Sequence, residues 1–444
     1  MRRRLGVLIA AVLVVSGIGG AAVAHDQEGF MGEQTEAYAA VAANAADHSN
    51  APRSHQPCVQ GYAGEFPCDK VDQLSYVPSA ELGASFVNDI WGWTDPETGV
   101  DYALVGAAEG VVFVDISDPK RPNVLGILPT ASTEGGDFWR DIKVYADHAF
   151  VVSENDDHPM QVFDLTELRG AEGYTTFASV ADYFGPSGLE IEHAHNININ
   201  TDIGHAYIVG SDTFGGGLHI VDITDPANPT FAGGFGDHGY THDTQCLQYE
   251  GPDADYQGRS LCFSSNATFD GTPFLNTLSI VDVTDPANPV GIAEVDYAND
   301  GYSHQGWLTP DQAYFLHNDE LDELFFGVNT TTRIFDLHDL DAPVLTSVVA
   351  HDTTAIGHNV YTEGRYMFAS NYTAGLRVFS ITDVAAGELP EVAYFDVYPE
   401  NDNASFEGGT WSNYPYFSQK GVVAVTSMDR GLFILQPRLG KSGN

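Results

Sequence analysis

His219-Ile220-Val221-Asp222-Ile223-Thr224-Asp225-Pro226 decides the fold, because the chain writes this string more than once. Val112-Phe113-Val114-Asp115-Ile116-Ser117-Asp118-Pro119 and Ser279-Ile280-Val281-Asp282-Val283-Thr284-Asp285-Pro286 are close copies. Weaker copies keep the frame at Val162-Phe163-Asp164, Ile334-Phe335-Asp336, Val378-Phe379-Ser380 and Leu432-Phe433-Ile434-Leu435. Each is a short β-branched and aromatic run that ends at a turn signal, which is how a strand reads. Pro after Asp presets φ for a tight turn, and the Asp carboxylate can hold the turn's N–H groups.

Seven units follow one another at about 45 to 60 residues, a period suited to the blades of a propeller. Within a unit the order repeats as well. A segment holding His, Asp or Asn opens it. A hydrophobic strand such as Ala206-Tyr207-Ile208-Val209 comes second, and the repeated strand is third. The turn Asp225-Pro226-Ala227-Asn228-Pro229 then leads to a fourth, Thr230-Phe231-Ala232-Gly233. The period is too long for a β-helix and the units too many for a sandwich. The expected fold is therefore all-β: a seven-bladed β-propeller of four-stranded blades. The last unit stops after Leu435 without a fourth strand, while Gln73-Leu74-Ser75-Tyr76-Val77 is a stray strand ahead of the first blade. Placing that N-terminal strand in the last blade closes the ring and removes open sheet edges.

Arg2, Arg3 and Arg4 precede an apolar run, Leu5 to Val23, and Ala22-Val23-Ala24 supplies a small-x-small cleavage site. This is the pattern of a secretory signal peptide rather than a membrane anchor. The expected division is a signal peptide over 1–24, a mobile leader with a disulfide loop over 25–70, the propeller over 71–438, and a tail over 439–444. Cleavage would remove three of 18 basic residues and none of 62 acidic ones, making a formal charge of −44 still more negative. Such a field repels nucleic acid and anionic membranes, and suits a protein kept soluble in salt. No second long apolar run follows, so no membrane span is expected, and the chain reads as a monomer. Four cysteines in an exported chain suggest two disulfides. Of three pairings the local one, Cys58 with Cys68 and Cys246 with Cys262, is the expectation. Cys58 and Cys68 bracket a Gly- and Pro-containing loop, and Cys246 and Cys262 fall on adjacent strands of one unit.

The repeated Ile/Val-Val-Asp-Ile/Val strand resembles the LVIVD repeat. From Pro57 onward the chain is similar to the choice-of-anchor B family of bacterial surface and secreted propellers. Pro57-Cys58-Val59, Ala63-Gly64-Glu65-Phe66-Pro67-Cys68, Asn88-Asp89-Ile90-Trp91-Gly92-Trp93 and Trp139-Arg140-Asp141 carry that resemblance. Tyr240-Thr241-His242-Asp243, His304-Gln305-Gly306-Trp307 and Trp411-Ser412-Asn413-Tyr414-Pro415-Tyr416 extend it. It implies an extracytoplasmic propeller of no established activity, often tethered by a C-terminal anchor. Here only Arg438 to Asn444 follow Pro437, so a freely soluble form, secreted or periplasmic, is expected.

Chemistry concentrates where the units open: Asn88-Asp89, Arg140-Asp141, His195-Asn196, His242-Asp243, His304-Gln305, His358-Asn359 and Trp411-Ser412. Innermost strands surround a propeller's channel, so equivalent residues form a ring there. Asp89, Asp141, His195, His242, Asp243, His304 and His358 are the candidate binding residues. The four histidines among them are candidate ligands of a divalent metal ion, the only cofactor the chain suggests. The competing reading is a structural network, with the histidines bonded to Asp115, Asp164, Asp222, Asp282 and Asp336 or to a backbone carbonyl of their own or the next blade. No Gly-x-Ser-x-Gly, His-Glu-x-x-His or phosphate loop occurs, so no catalytic residue is named. A second cluster, His317-Asn318-Asp319-Glu320-Leu321-Asp322-Glu323, reads as a solvated acidic loop before it reads as a Ca²⁺ site. The functional expectation is an exported binding or scaffold propeller; the alternative is a metal-dependent hydrolase at the channel mouth.

Overall fold

A computed structural model describes residues 40–41, 53–132, 139–267, 276–419 and 421–440. The expected signal peptide and nearly all of the expected leader up to residue 52 lie outside the described residues. Seven blades each hold four antiparallel strands, in chain order from the inside outward except in blade 7, whose outermost strand comes from the N-terminal side; two further strands extend the sheet of blade 6 and one short parallel strand that of blade 1. The innermost strands are Val87–Thr94, Arg140–Tyr145, Asn196–Asn200, Thr241–Gln248, Ser303–Leu308, Val360–Glu363 and Thr410–Tyr414. They number blades 1 to 7. Among the described residues no helix is long and apolar enough to cross a membrane.

Each blade is covered on both faces by its neighbours, which is why the strands read as nearly continuous apolar runs. Val105, Val112 and Val114 of blade 1 pack on Leu432 and Ile434 of blade 7 in one buried cluster. Phe113 and Phe163 stack between blades 1 and 2 at 4.7 Å. The Asp that ends the repeated strand is a turn residue. Asp222 accepts from Thr224 N at 2.9 Å, Asp282 from Thr284 N at 2.9 Å, and Asp115 from Ser117 N at 2.8 Å. In the following turn Asn228 donates to Asp225, and Asn288 to Asp285, each at 3.0 Å.

Closure occurs as expected. Val71–Pro78 pairs antiparallel with Gly431–Pro437, with Tyr76 opposite Phe433 and Val77 opposite Leu432. The strand is a true fourth strand in its detail too. In blade 3 one residue, Ala232, is bulged out opposite Ile220 and Val221. Blades 1, 4, 5 and 6 repeat that bulge at the same place. In blade 7 the extra residue is Leu74, between Gln73 and Ser75. The slip resets the pleat, so that Val71 and Tyr76, five residues apart, both face blade 6, while Leu74 and Val77 face blade 1.

Both expected disulfides are present, Cys58–Cys68 and Cys246–Cys262. Cys246 and Cys262 are directly opposed on the first and second strands of blade 4. The other loop is not separate from the ring. Phe66–Asp69 pairs with Glu391–Phe395, so the looped segment extends the sheet of blade 6.

Candidate functional site

The inner strands are sewn together from blade to blade by their own side chains. Asp89 accepts from Ile142 N at 3.3 Å, Asp141 from Ile197 N at 2.8 Å, and Asn198 from Cys246 N at 2.9 Å. Gln245 accepts from Leu308 N at 2.8 Å, and Gln305 bonds both N–H and C=O of Val360 at 2.9 and 3.1 Å. Polar residues on an inner strand thus answer backbone groups that no fifth strand could reach. This part of the ring is structural, and it fixes where the remaining side chains point.

At the end where the inner strands begin, the four histidines stand in a row. Ring centroids are 4.0 Å apart from His195 to His242, 4.3 Å from His242 to His304, and 4.2 Å from His304 to His358. His242, His304 and His358 are buried. His242 Nδ1 donates to the His304 carbonyl at 2.8 Å, and His358 Nδ1 to the Trp411 carbonyl at 2.5 Å. A carbonyl can only accept, so in the neutral rings Nε2 carries the lone pair. Burial pushes His358 down to about 3 and holds His242 and His304 well below the usual histidine range. His195 differs: burial lowers it, but the adjacent Glu154 outweighs that, and its Nδ1 is paired with the Glu154 carboxylate.

The repeated aspartates are not the partners of these histidines; His242 and His358 instead meet the network reading's other expectation, a carbonyl of the next blade. They end the third strands and serve the outer turns. Asp164 bonds Thr166 N at 2.9 Å, and Asp336 bonds His338 N at 2.9 Å. Arg140 also leaves the row: its guanidinium donates to the carbonyls of Ala107 and Ala108 at 2.6 and 2.9 Å.

Asp89, Asp141 and Asp243 lie beyond the histidines and, with Lys143, border the same small cavity. Lys143 is paired with Asp141, and its ammonium stands 4.4 Å above the Trp91 ring. Burial pushes Asp89 well above the usual carboxylate range, and nearby Asp141 adds to it. For Lys143 burial acts downward, but Asp141, Asp89 and Asp243 outweigh it and the ammonium is held. On the histidine side of this septum the cavity is about 20 Å³, room for one water or ion. On the other side Lys143 borders a funnel of about 160 Å³. Trp91 and Trp307 form one wall, joined through Tyr361 at 5.8 and 5.0 Å; Asn198, Asn200 and Gln245 form the other.

The segment expected to be a solvated acidic loop is buried. Asp319, Glu320, Asp322 and Glu323 are all less than a tenth exposed. Asp322 pairs with the equally buried Arg333 at 2.8 Å. Asp319 accepts the N–H groups of Tyr302, Leu321 and Asp322. Glu320 turns to the histidines, its carboxylate 3.9 Å from His304 Nε2 and 4.0 Å from His358 Nε2. Burial pushes Glu320 up to about 7. Glu154 and Glu320 are the first residues after the second strands of blades 2 and 5. Their equal offset in Phe150-Val151-Val152-Ser153-Glu154 and Leu316-His317-Asn318-Asp319-Glu320 was a signal available in the sequence.

Residues 100–130, 202–237 and 274–296 match the LVIVD repeat model. The chain carries LVIVD repeats. The first two matches span strands two to four of blades 1 and 3, and the third spans the last two strands of blade 4. No curated protein matches this LVIVD propeller. Among solved structures it is similar to Kuenenia stuttgartiensis hydrazine synthase at 10% identity and a TM-score of 0.50, covering 79% of this chain and 95% of that one. A Lactobacillus plantarum protein aligns at 13% identity and TM-score 0.48, over 77% of this chain and 89% of its own. The β-propeller domain of Cps50 (Swd1) from Myceliophteria thermophila aligns at 12% and 0.47, over 80% and 96%. At such identities the likeness is one of fold.

Proposed function

We propose that this LVIVD propeller is an exported binding protein of the choice-of-anchor B kind, which takes a small hydroxylated or carboxylated solute into the funnel. The funnel carries the reading: about 160 Å³ with one aromatic wall and one amide wall. The oxygens of Asn198 and Gln245 are taken by N–H groups of the next blade, which leaves their NH₂ groups as donors. Donors opposite stacking rings favour a ligand rich in acceptors with a flat face. Two disulfides suit an oxidising compartment. The alternative, a hydrolase at the histidine end, has a cavity of about 20 Å³ among the described residues there, against about 160 Å³ in the funnel.

Two of the chain's five tryptophans line the funnel, so their fluorescence reports on it. Titration with a panel of sugars, amino acids and aromatic carboxylates should give saturable quenching by at least one class. Trp307→Ala should weaken that binding by roughly 10- to 100-fold, as loss of a central aromatic contact does. No saturable quenching from any class, or binding indifferent to Trp307→Ala, would overturn the reading.

A further inference from the structure

The two buried glutamates at the histidine end make opposite arrangements. Glu154 is in direct contact with one imidazole, His195 Nδ1, and forms a closed hydrogen-bonded pair. Glu320 faces two imidazoles and is bonded to neither, at 3.9 and 4.0 Å. Among the described residues its side-chain hydrogen bond comes from the Tyr372 hydroxyl, which donates to Oε1 at 2.7 Å. His358 already spends its N–H on the Trp411 carbonyl, so the Nε2 lone pair points across 4.0 Å at a carboxylate oxygen. Two acceptors facing one another in a buried site repel unless something positive lies between them. His304 adds a second anomaly: its buried Nδ1 has no hydrogen-bond partner among the described residues, and its Nε2 faces Glu320. The three residues are 3, 2 and 6% exposed for His304, His358 and Glu320, and their ligand atoms all lie within 4.8 Å of one another.

We infer that His304 Nε2, His358 Nε2 and a Glu320 carboxylate oxygen are the protein ligands of a divalent transition-metal ion of the zinc class, with one coordination position open. Two ligand atoms each about 2.1 Å from a tetrahedral ion stand about 3.4 Å apart. His304 Nε2 is 3.9 Å from Oε2 and His358 Nε2 is 4.0 Å from Oε1, and with all ligand atoms within 4.8 Å of one another the three side chains would have to draw together when the ion enters. Two imidazole nitrogens and one carboxylate select zinc, cobalt, nickel or copper over calcium and magnesium, which demand oxygen. The hydrogen bond from His358 Nδ1 to a carbonyl is the outer contact that orients a metal-binding imidazole. Tyr372 does the same for Glu320. His304 and His358 also line the cavity of about 20 Å³, which has room for the water or small anion that would complete the shell. The site is separated from the funnel by the Lys143 septum, so it stands or falls independently of what the funnel binds.

The test uses the full disulfide-bonded chain, stripped with chelator and titrated with Co²⁺, whose visible absorption reports coordination. The expected result is one Co²⁺ per chain with the intense bands of a four- or five-coordinate site, displaced by Zn²⁺. Glu320→Gln keeps the shape and an acceptor for Tyr372, and should weaken binding roughly tenfold or more. Glu154→Gln, at the equivalent place in blade 2, should leave binding unchanged. Crystals soaked in Zn²⁺ should show an anomalous peak between His304, His358 and Glu320, which needs no variant. Absence of stoichiometric Co²⁺, an anomalous peak elsewhere, or equal effects of the two substitutions would overturn the assignment.

Discussion

Replacing Tyr76 by Ala should loosen the closure of the ring by an amount that can be worked from its contacts. Tyr76 is 2% exposed on the N-terminal strand that completes blade 7. Its ring stacks on Phe433 of the neighbouring strand, centroids 4.5 Å apart at 25°. Its hydroxyl donates to the Arg430 carbonyl at 2.8 Å. Truncating a buried aromatic to Ala costs about 3–5 kcal/mol in lost burial and cavity. Tyr76→Phe is the control, because the Arg430 carbonyl keeps the Ser79 N–H at 2.9 Å. That change should cost only about 1 kcal/mol. With about 2.1 cal/mol/K of unfolding entropy per residue over about 370 residues, the Ala variant should melt about 4–6 °C lower. Circular dichroism on heating reads the shift. Hydrogen exchange of Leu432 to Leu435, whose strand pairs with the strand of Tyr76, shows where it acts. An Ala variant that melts with the wild type, or a Phe variant as damaged as the Ala variant, would refute the reasoning.

Asp95 is buried and held well below the usual carboxylate range, first by two hydrogen bonds from Arg169 at 2.7 and 2.8 Å. A depressed folded pKa stabilises above the unfolded value near 3.9 and is lost as pH falls below it. Asp95→Asn should therefore cost about 1.5–3 kcal/mol at pH 7, with the gap to wild type closing as urea melts are taken towards pH 2; a gap constant with pH would count against it. Asp322→Ala strands the Arg333 charge, 1% exposed, and should cost about 3–5 kcal/mol in the same melts. The double change Asp322→Leu with Arg333→Met should recover most of that loss, since neither member of the pair is then left without its partner. A double variant no better than the single one would show that the pair supplies more than mutual neutralisation.

Seven blades, the order of strands within each, and the closing strand were all legible in the chain. They rest on local period and turn chemistry, which repeat within about 60 residues and need no partner to be read. Both disulfides were legible for the same reason: each joins residues that the local pattern already sets side by side. That His195, His242, His304 and His358 meet in a row also followed from the repeat, because equivalent positions of successive blades must converge on the axis. What the repeat could not reveal is what each imidazole faces. His195 is closed by Glu154, whereas His304 and His358 are left opposite Glu320, a residue that reads in sequence as part of a charged, solvated loop. The burial of Asp319 to Glu323 depends on Arg333, Tyr302 and Tyr372, which come from other strands and another blade. Lys143 likewise becomes a septum only when Asp141, Asp89, Asp243 and Trp91 close around it. A strand's period is a property of the chain, but the desolvation and charge of a side chain are set by neighbours distant in sequence, and only the closed ring brings those together.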